Sequence, residues 1–139
     1  MRLLRLPFSA DEIRHLSLHP PVQGQTDGTR LLLEPWHYED TEGRLTVPAG
    51  FRTDYSSIPH RLSWLMPPWW MLDLAGIGHD FLSREPPFDD IRRARADRAW
   101  GRIALAQGNS TYSVWKGYRA LRLFGWTAYG ARNPHVVAP

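Results

Sequence analysis

Four residues have types and spacings suited to chemistry: Asp54, His79, Asp80 and Asp97. Histidine is the side-chain type that exchanges a proton near neutral pH. A carboxylate held against one ring nitrogen sets the tautomer and leaves the other nitrogen to act as a base or a metal ligand. Carboxylates grouped with loop carbonyls suit hard cations such as calcium or magnesium. An added imidazole turns the preference toward a transition metal. Any of this requires elements that bring the four residues together.

Helical spacing brings two of them together. Leu72, Ala75, His79 and Leu82 fall on one face of a helix expected over Trp70–Ser83, so His79 points inward. Asp80 is turned by about 100° and groups with Gly76 and Ser83. His79 and Asp80 therefore aim at neighbouring places, one a partner helix and the other a cleft. On the next helix Asp97 lies beside Ala96, Trp100, Ile103 and Ala104. A carboxylate on that face loses hydration and needs a partner, and His79 is the expected one. The same pair also reads as a purely structural tie between two helices. Arg92, Arg95, Arg98 and Arg102 read as the solvated side of the Asp97 helix.

The segment from Gly50 to Pro59 joins a strand-like region to a helical one. Asp54, Ser56 and Ser57 are helix-capping types placed just before Ile58. The segment reads either as a capping loop or as a ligand loop with Asp54 and backbone carbonyls around a cation.

Around these motifs the chain divides into strands, then helices. Residues 1–6 suit a short edge strand, and residues 7–29 read as loop with one helical turn near Asp11–Leu16. Leu31–Tyr38 reads as a strand with Pro35 at an edge or bulge, turning through Glu39–Gly43 into Arg44–Val47. Helices are expected over Ile58–Met66, Trp70–Ser83, Asp89–Gln107 and from Ser110 or Thr111 to Gly125. This order predicts an α+β fold: a small N-terminal β-hairpin or antiparallel sheet followed by three to four packed helices. Residues 1–125 form the single domain, and residues 126–139, with Gly130, Pro134 and Pro139, read as an extended C-terminal tail.

Composition removes several function classes. The 139 residues suit one domain and include no cysteine, so disulfides, thiolate nucleophiles and Cys-ligated zinc are out. The net charge is +3, and Lys116 is the one lysine among 17 basic residues. That charge is modest, and no long basic run predicts specific nucleic-acid binding. The apolar-rich stretch Trp64–Ile77 is interrupted by Pro67, Pro68 and Asp73, so no transmembrane segment is expected. Met1–Pro7 lacks the apolar core of a secretory signal peptide. Seven tryptophans are many for this length. Trp64, Trp69 and Trp70 read as core, or as an apolar rim for lipid, glycan or protein.

Three segments carry a family resemblance. Val47–Pro59 resembles a VPaGFxTDxaSiP motif, His79-Asp80-Phe81-Leu82 resembles HDxLY, and Arg93 with Ala96-Asp97 resembles RxxAD. This pattern is that of a domain-of-unknown-function family of tailed bacteriophages and prophages, often encoded near tail and lysis genes. Ser83 stands where that family usually has tyrosine, so no role is carried to it. The resemblance implies a shared site that includes Thr53, Asp54, Ser56, Ser57, His79, Asp80, Arg93 and Asp97. It also implies phage virion or tail proteins, or a cell-envelope substrate, as partners, and the host cytoplasm or the virion as the location. The site is similar, more distantly, to secreted phospholipases of the A-two type. That likeness implies His79 as base, Asp97 as the residue orienting it and Asp80 as calcium ligand, with residues 50–57 in place of the metal loop. HD-type phosphohydrolases also carry a His-Asp pair; they need a further upstream helical histidine, for which His60 is the near candidate.

Two functions follow as expectations. One is a small hydrolase of an ester, phosphoester or cell-wall bond, with a divalent cation (calcium, magnesium or zinc) held by Asp80 and Asp54. The other is a virion- or tail-associated structural protein in which the same cluster is a buried polar network.

Overall fold

The computed structural model describes residues 5–18, 20–26, 29–53, 73–84 and 89–132, with side chains described through Leu123 except that of Asp73. It shows an α+β fold: two three-stranded antiparallel sheets precede three helices. One sheet has the order β1 (Ile13–Leu16), β4 (Trp36–Asp40), β5 (Gly43–Val47). The other has the order β2 (Val22–Gly24), β3 (Arg30–Leu32), β6 (Arg52–Thr53). The helices are α1 (Asp73–Arg84), α2 (Asp90–Ala106) and α3 (Thr111–Arg132).

The hairpin of β4 and β5 forms where its alternation predicts it. Trp36, Tyr38, Leu45 and Val47 point into the core, while His37, Arg44 and Thr46 point out. The register pairs Trp36 with Val47 and Asp40 with Gly43. The turn is held by Asp40, whose Oδ1 accepts from the Glu42 amide at 2.7 Å. Trp36 and Tyr38 stack with ring centroids 5.8 Å apart. Burying side chains of this size contributes about 2–3 kcal/mol each.

The N-terminal half holds more structure than its prolines suggest. The expected helical turn near Asp11–Leu16 is a 3-10 turn over Ala10–Glu12 that leads directly into β1. Ser9 and Glu12 close it as a capping box. The loop expected over residues 7–29 also contains β2. The single strand expected over Leu31–Tyr38 is two strands in different sheets. Pro35, which has no amide hydrogen to donate to a ladder, lies between them.

The helices fall close to expectation. Asp89 caps α2, its Oδ1 accepting from the Arg92 amide at 2.8 Å. Beyond Ala106 the chain turns at Gly108, whose φ of +99° suits glycine. Ser110 opens α3 by accepting from the Ser113 amide. The stripe of Val114, Tyr118 and Leu121 packs on the core, with Val114 and Leu121 fully buried. α3 does not stop at Gly125 but continues to Arg132, so residues 126–132 are helical rather than an extended tail. Gly125 and Gly130 weaken a helix without ending it.

The core lies between the helices and the β1-β4-β5 sheet. α1 packs chiefly on α2, and α2 also packs on α3. Phe8 from the N-terminal segment lies against Gly101 of α2 so closely that an added Cβ there would fall 2.0 Å from the ring. The helix expected over Ile58–Met66, residues 1–4 of the edge strand expected over residues 1–6, and Trp64, Trp69 and Trp70 lie outside the described residues; Arg5 and Leu6, which are described, are not in a strand. Among the described residues, no helix is long and apolar enough to cross a membrane.

Candidate functional site

His79 lies in the middle of α1, on the face that packs against α2, and is 4% exposed. Its Nε2 is 2.7 Å from Oδ1 of Asp97. Asp97, in the first half of α2, is 1% exposed. Its other oxygen, Oδ2, accepts from Nη1 of Arg122 on α3 at 2.8 Å. One carboxylate thus binds two helices to a third. With a guanidinium on one oxygen it is an ionised acceptor, so the proton in the His79 contact belongs to Nε2, and in the neutral ring Nδ1 carries the lone pair.

Ser83 stands one turn after His79. Its hydroxyl donates to the His79 carbonyl at 2.7 Å, and its Oγ lies 3.5 Å from Nδ1. This is a serine bonding back to its own helix. It supplies a polar neighbour on the Nδ1 side of the ring.

Asp80 points away from the His79–Asp97 contact, as the helical angle requires. It is 1% exposed and faces β6. Its Oδ2 accepts from Thr53 Oγ1 at 2.6 Å and lies 3.2 Å from Nη2 of Arg84. Arg84 donates to the Arg52 carbonyl at 2.9 Å and sits over the Phe51 ring. The end of β6 is therefore fastened to α1 through Asp80. Thr53, known before only through the family resemblance, has a physical role: it delivers the strand end to this carboxylate.

Arg93 precedes Asp97 by one helical turn. Its Nη1 reaches the Leu121 carbonyl at 3.4 Å, and its Nε lies 3.6 Å from Asp90. It ties α2 to the turn of α3 that carries Arg122. Asp54, Ser56, Ser57 and His60 lie outside the described residues. Among the described residues, no group of three or more histidine or acidic side chains is arranged to hold a metal.

Helix periodicity located His79, Asp97 and Asp80 but gave no sign of Arg122, which lies 25 residues beyond Asp97. A possible signal was the α3 stripe itself. Arg122 follows Leu121 directly and lies one turn beyond Tyr118, at the edge of a buried face. The arginines of α2 correct another expectation. Arg102 is 3% exposed, not solvated. Its Nη1 lies 3.2 Å from Asp40 and 2.7 Å from Glu42, and its Nε lies 3.4 Å from Glu12. Arg98 pairs with both oxygens of Glu42 at 2.6 and 2.8 Å. The hairpin turn that presents Asp40 and Glu42 lies over that side of α2.

The fold and the site define a class: a small α+β protein whose three helices meet at a His–Asp–Arg chain centred on a buried carboxylate. The chain belongs to the family described as protein of unknown function (DUF1353), which matches residues 31–121. The match spans β3 through the first half of α3 and includes His79, Asp80, Arg93 and Asp97, with Arg122 immediately after it. No curated protein and no solved structure matches the chain.

Proposed function

We propose that this protein is a small hydrolase in which His79 acts as general base. The supporting observation is the 2.7 Å contact of His79 Nε2 with a carboxylate whose second oxygen is itself engaged. Such a ring is held in one tautomer, with Nδ1 the atom suited to take a proton from water as the water oxygen attacks an ester, phosphoester or cell-wall bond. Asp97 remains a carboxylate and orients the ring. The resemblance to a phage-associated family supports a setting in the phage life cycle, in the host cytoplasm or virion, with tail proteins or the cell envelope as partners.

A divalent cation fits this scheme on Asp80 with Asp54, supported by the loop residues Thr53, Ser56 and Ser57. The oxygen donors suit calcium or magnesium; participation of His79 would suit zinc. A cation on Asp80 must displace or share the contact with Arg84. Elemental analysis of the purified protein tests this: a stoichiometric metal that is lost in Asp80→Ala is the expected result, and no metal in either protein rejects it.

The activity is tested with His79→Ala and Asp97→Asn against ester, phosphoester and peptidoglycan substrates. Loss of hydrolysis by about 100-fold or more in variants that keep the near-UV circular dichroism of the parent is expected. Undiminished hydrolysis in both folded variants rejects the proposal. A second reading, a virion or tail structural protein, is favoured by burial: the side chains of His79 and Asp97 are 5% and 1% exposed. On that reading the parent hydrolyses none of these substrates and the substitutions change stability alone.

A further inference from the structure

The contact between Arg122 and Asp97 has a consequence for the neighbouring ring. Asp97 is buried, and its two oxygens face different helices: Oδ1 faces His79 of α1 and Oδ2 faces Arg122 of α3. The side chain of Arg122 is 29% exposed, so it reaches in from the edge of the site rather than filling the core. A separate contact holds the α3 turn that presents it. Arg93, one turn before Asp97, donates to the carbonyl of Leu121, the residue preceding Arg122. α2 therefore grips the α3 backbone beside Arg122 with Arg93 and receives the Arg122 side chain with Asp97.

A carboxylate turns about its terminal bond unless both oxygens are engaged, and a buried carboxylate without a counter-charge is costly. We infer that Arg122 is a positioning residue: by occupying Oδ2 it holds Asp97 as an ionised acceptor with Oδ1 aimed at His79, which keeps the ring in the Nε2–H tautomer and assigns the base role to Nδ1. Arg93 supports it by fixing the α3 turn. This inference rests on the hydrolase reading for its catalytic consequence, but its structural core does not.

Without the guanidinium, nothing holds Oδ2 and Asp97 turns in its socket. That turn removes the acceptor that selects the tautomer. A neutral glutamine at position 122 keeps much of the volume but not the charge. A lysine restores the charge without the planar head.

The test uses the full chain and reads the His79 ring by nitrogen-15 NMR at neutral pH, with its signals assigned by their loss in His79→Ala. In the parent, the Nε2–H tautomer predominates; a predominant Nδ1–H tautomer overturns the inference before any variant is made. In Arg122→Gln the Nε2–H population falls at least about twofold, and Arg122→Lys recovers most of it. An unchanged ring spectrum in folded Arg122→Gln also overturns the inference. Where a hydrolysed substrate is in hand, Arg122→Gln lowers kcat by about 10- to 100-fold with KM little changed. The two ideas fail separately. A tautomer lost in Arg122→Gln, in a protein that hydrolyses nothing, retains the positioning role and rejects the hydrolase. A tautomer preserved in Arg122→Gln, in a protein whose activity needs His79, does the reverse.

Discussion

Two buried ionic networks grow from opposite sides of one helix, and they are built differently. On one side of α2, Asp97 joins His79 and Arg122. On the other, Arg102 joins Asp40, Glu42 and Glu12, with Arg98 adding a second guanidinium on Glu42. Five residues separate Asp97 from Arg102, a rotation of about 140°. In the Arg102 network Glu12, Glu42, Arg98 and Arg102 are all shifted toward their charged forms. Hydrogen bonding by Arg98, aided by Arg102, holds Glu42 down at about 2 against its own partial burial. Contacts with Glu42 and Asp40 outweigh the burial of Arg102 and keep it firmly charged. Tyr38, buried and donating to Asp40, is pushed far above its ordinary range. None of these shifted groups trades a proton near pH 7. The Asp97 network contains an imidazole, the one side-chain type in either network suited to that exchange. A bolt and a candidate site thus share a helix and differ by a single chemical type.

The comparison is broken most severely by swapping what each network is asked to do. Asp97→Asn is expected to lower hydrolysis by about 100-fold or more while the fold survives, because the amide keeps the shape but loses the acceptor charge. Arg102→Met is expected to act in the opposite sense. It strands the Asp40 carboxylate, whose side chain is 0% exposed, and costs about 3–5 kcal/mol in denaturant unfolding. The protein that remains folded keeps its hydrolysis rate per molecule. Equal loss of activity in both variants would merge the two networks into one and undo the distinction.

A smaller effect is expected between the networks, where Phe8 meets α2. Gly101→Ala places a methyl within 2.0 Å of the Phe8 ring, so the N-terminal segment must shift. A loss of about 1–3 kcal/mol is expected, read as a lowered denaturation midpoint with unchanged slope. The smallest effect is electrostatic. Glu42 has a depressed folded value, so its contribution is present above the unfolded value near 4.5 and is lost as pH falls toward about 2. Because Glu42 is partly solvated, roughly 1 kcal/mol is expected. The stability difference between the parent and Glu42→Gln should therefore shrink between pH 5 and pH 2. A difference that stays constant over that window assigns the effect to packing instead.

What could be read in advance followed local periodicity. The β4–β5 hairpin alternates with period two between breakers. α2 begins at an aspartate cap and ends at Ala106, two residues before Gly108. His79 and Asp97 each sit on the apolar stripe of their own helix. Where prediction failed, the deciding contacts were not local. The β1 and β2 strands are short, and a four-residue run such as Ile13–Leu16 shows its period too briefly to be read. Pro35 reads locally as an edge position or a bulge within one strand, but the chain passes there from one sheet to the other. The α2 arginines looked solvated because periodicity reports where apolar residues lie. It cannot report that a hairpin turn carrying Asp40 and Glu42, with Glu12 beside it, folds over the charged side.

The site divides along the same line. That His79 and Asp97 face inward, and that Asp80 must aim elsewhere, came from the sequence alone, since a helix advances by about 100° per residue whatever surrounds it. Which groups meet them did not. Arg122 completes the Asp97 carboxylate from another helix, Thr53 reaches Asp80 from a strand 27 residues away, and Arg102 finds Asp40 at a separation of 62. These partners share no spacing rule with the residues they serve. They are selected because a buried charge must be matched by whatever the packed elements bring within reach, and only the tertiary structure decides what that is.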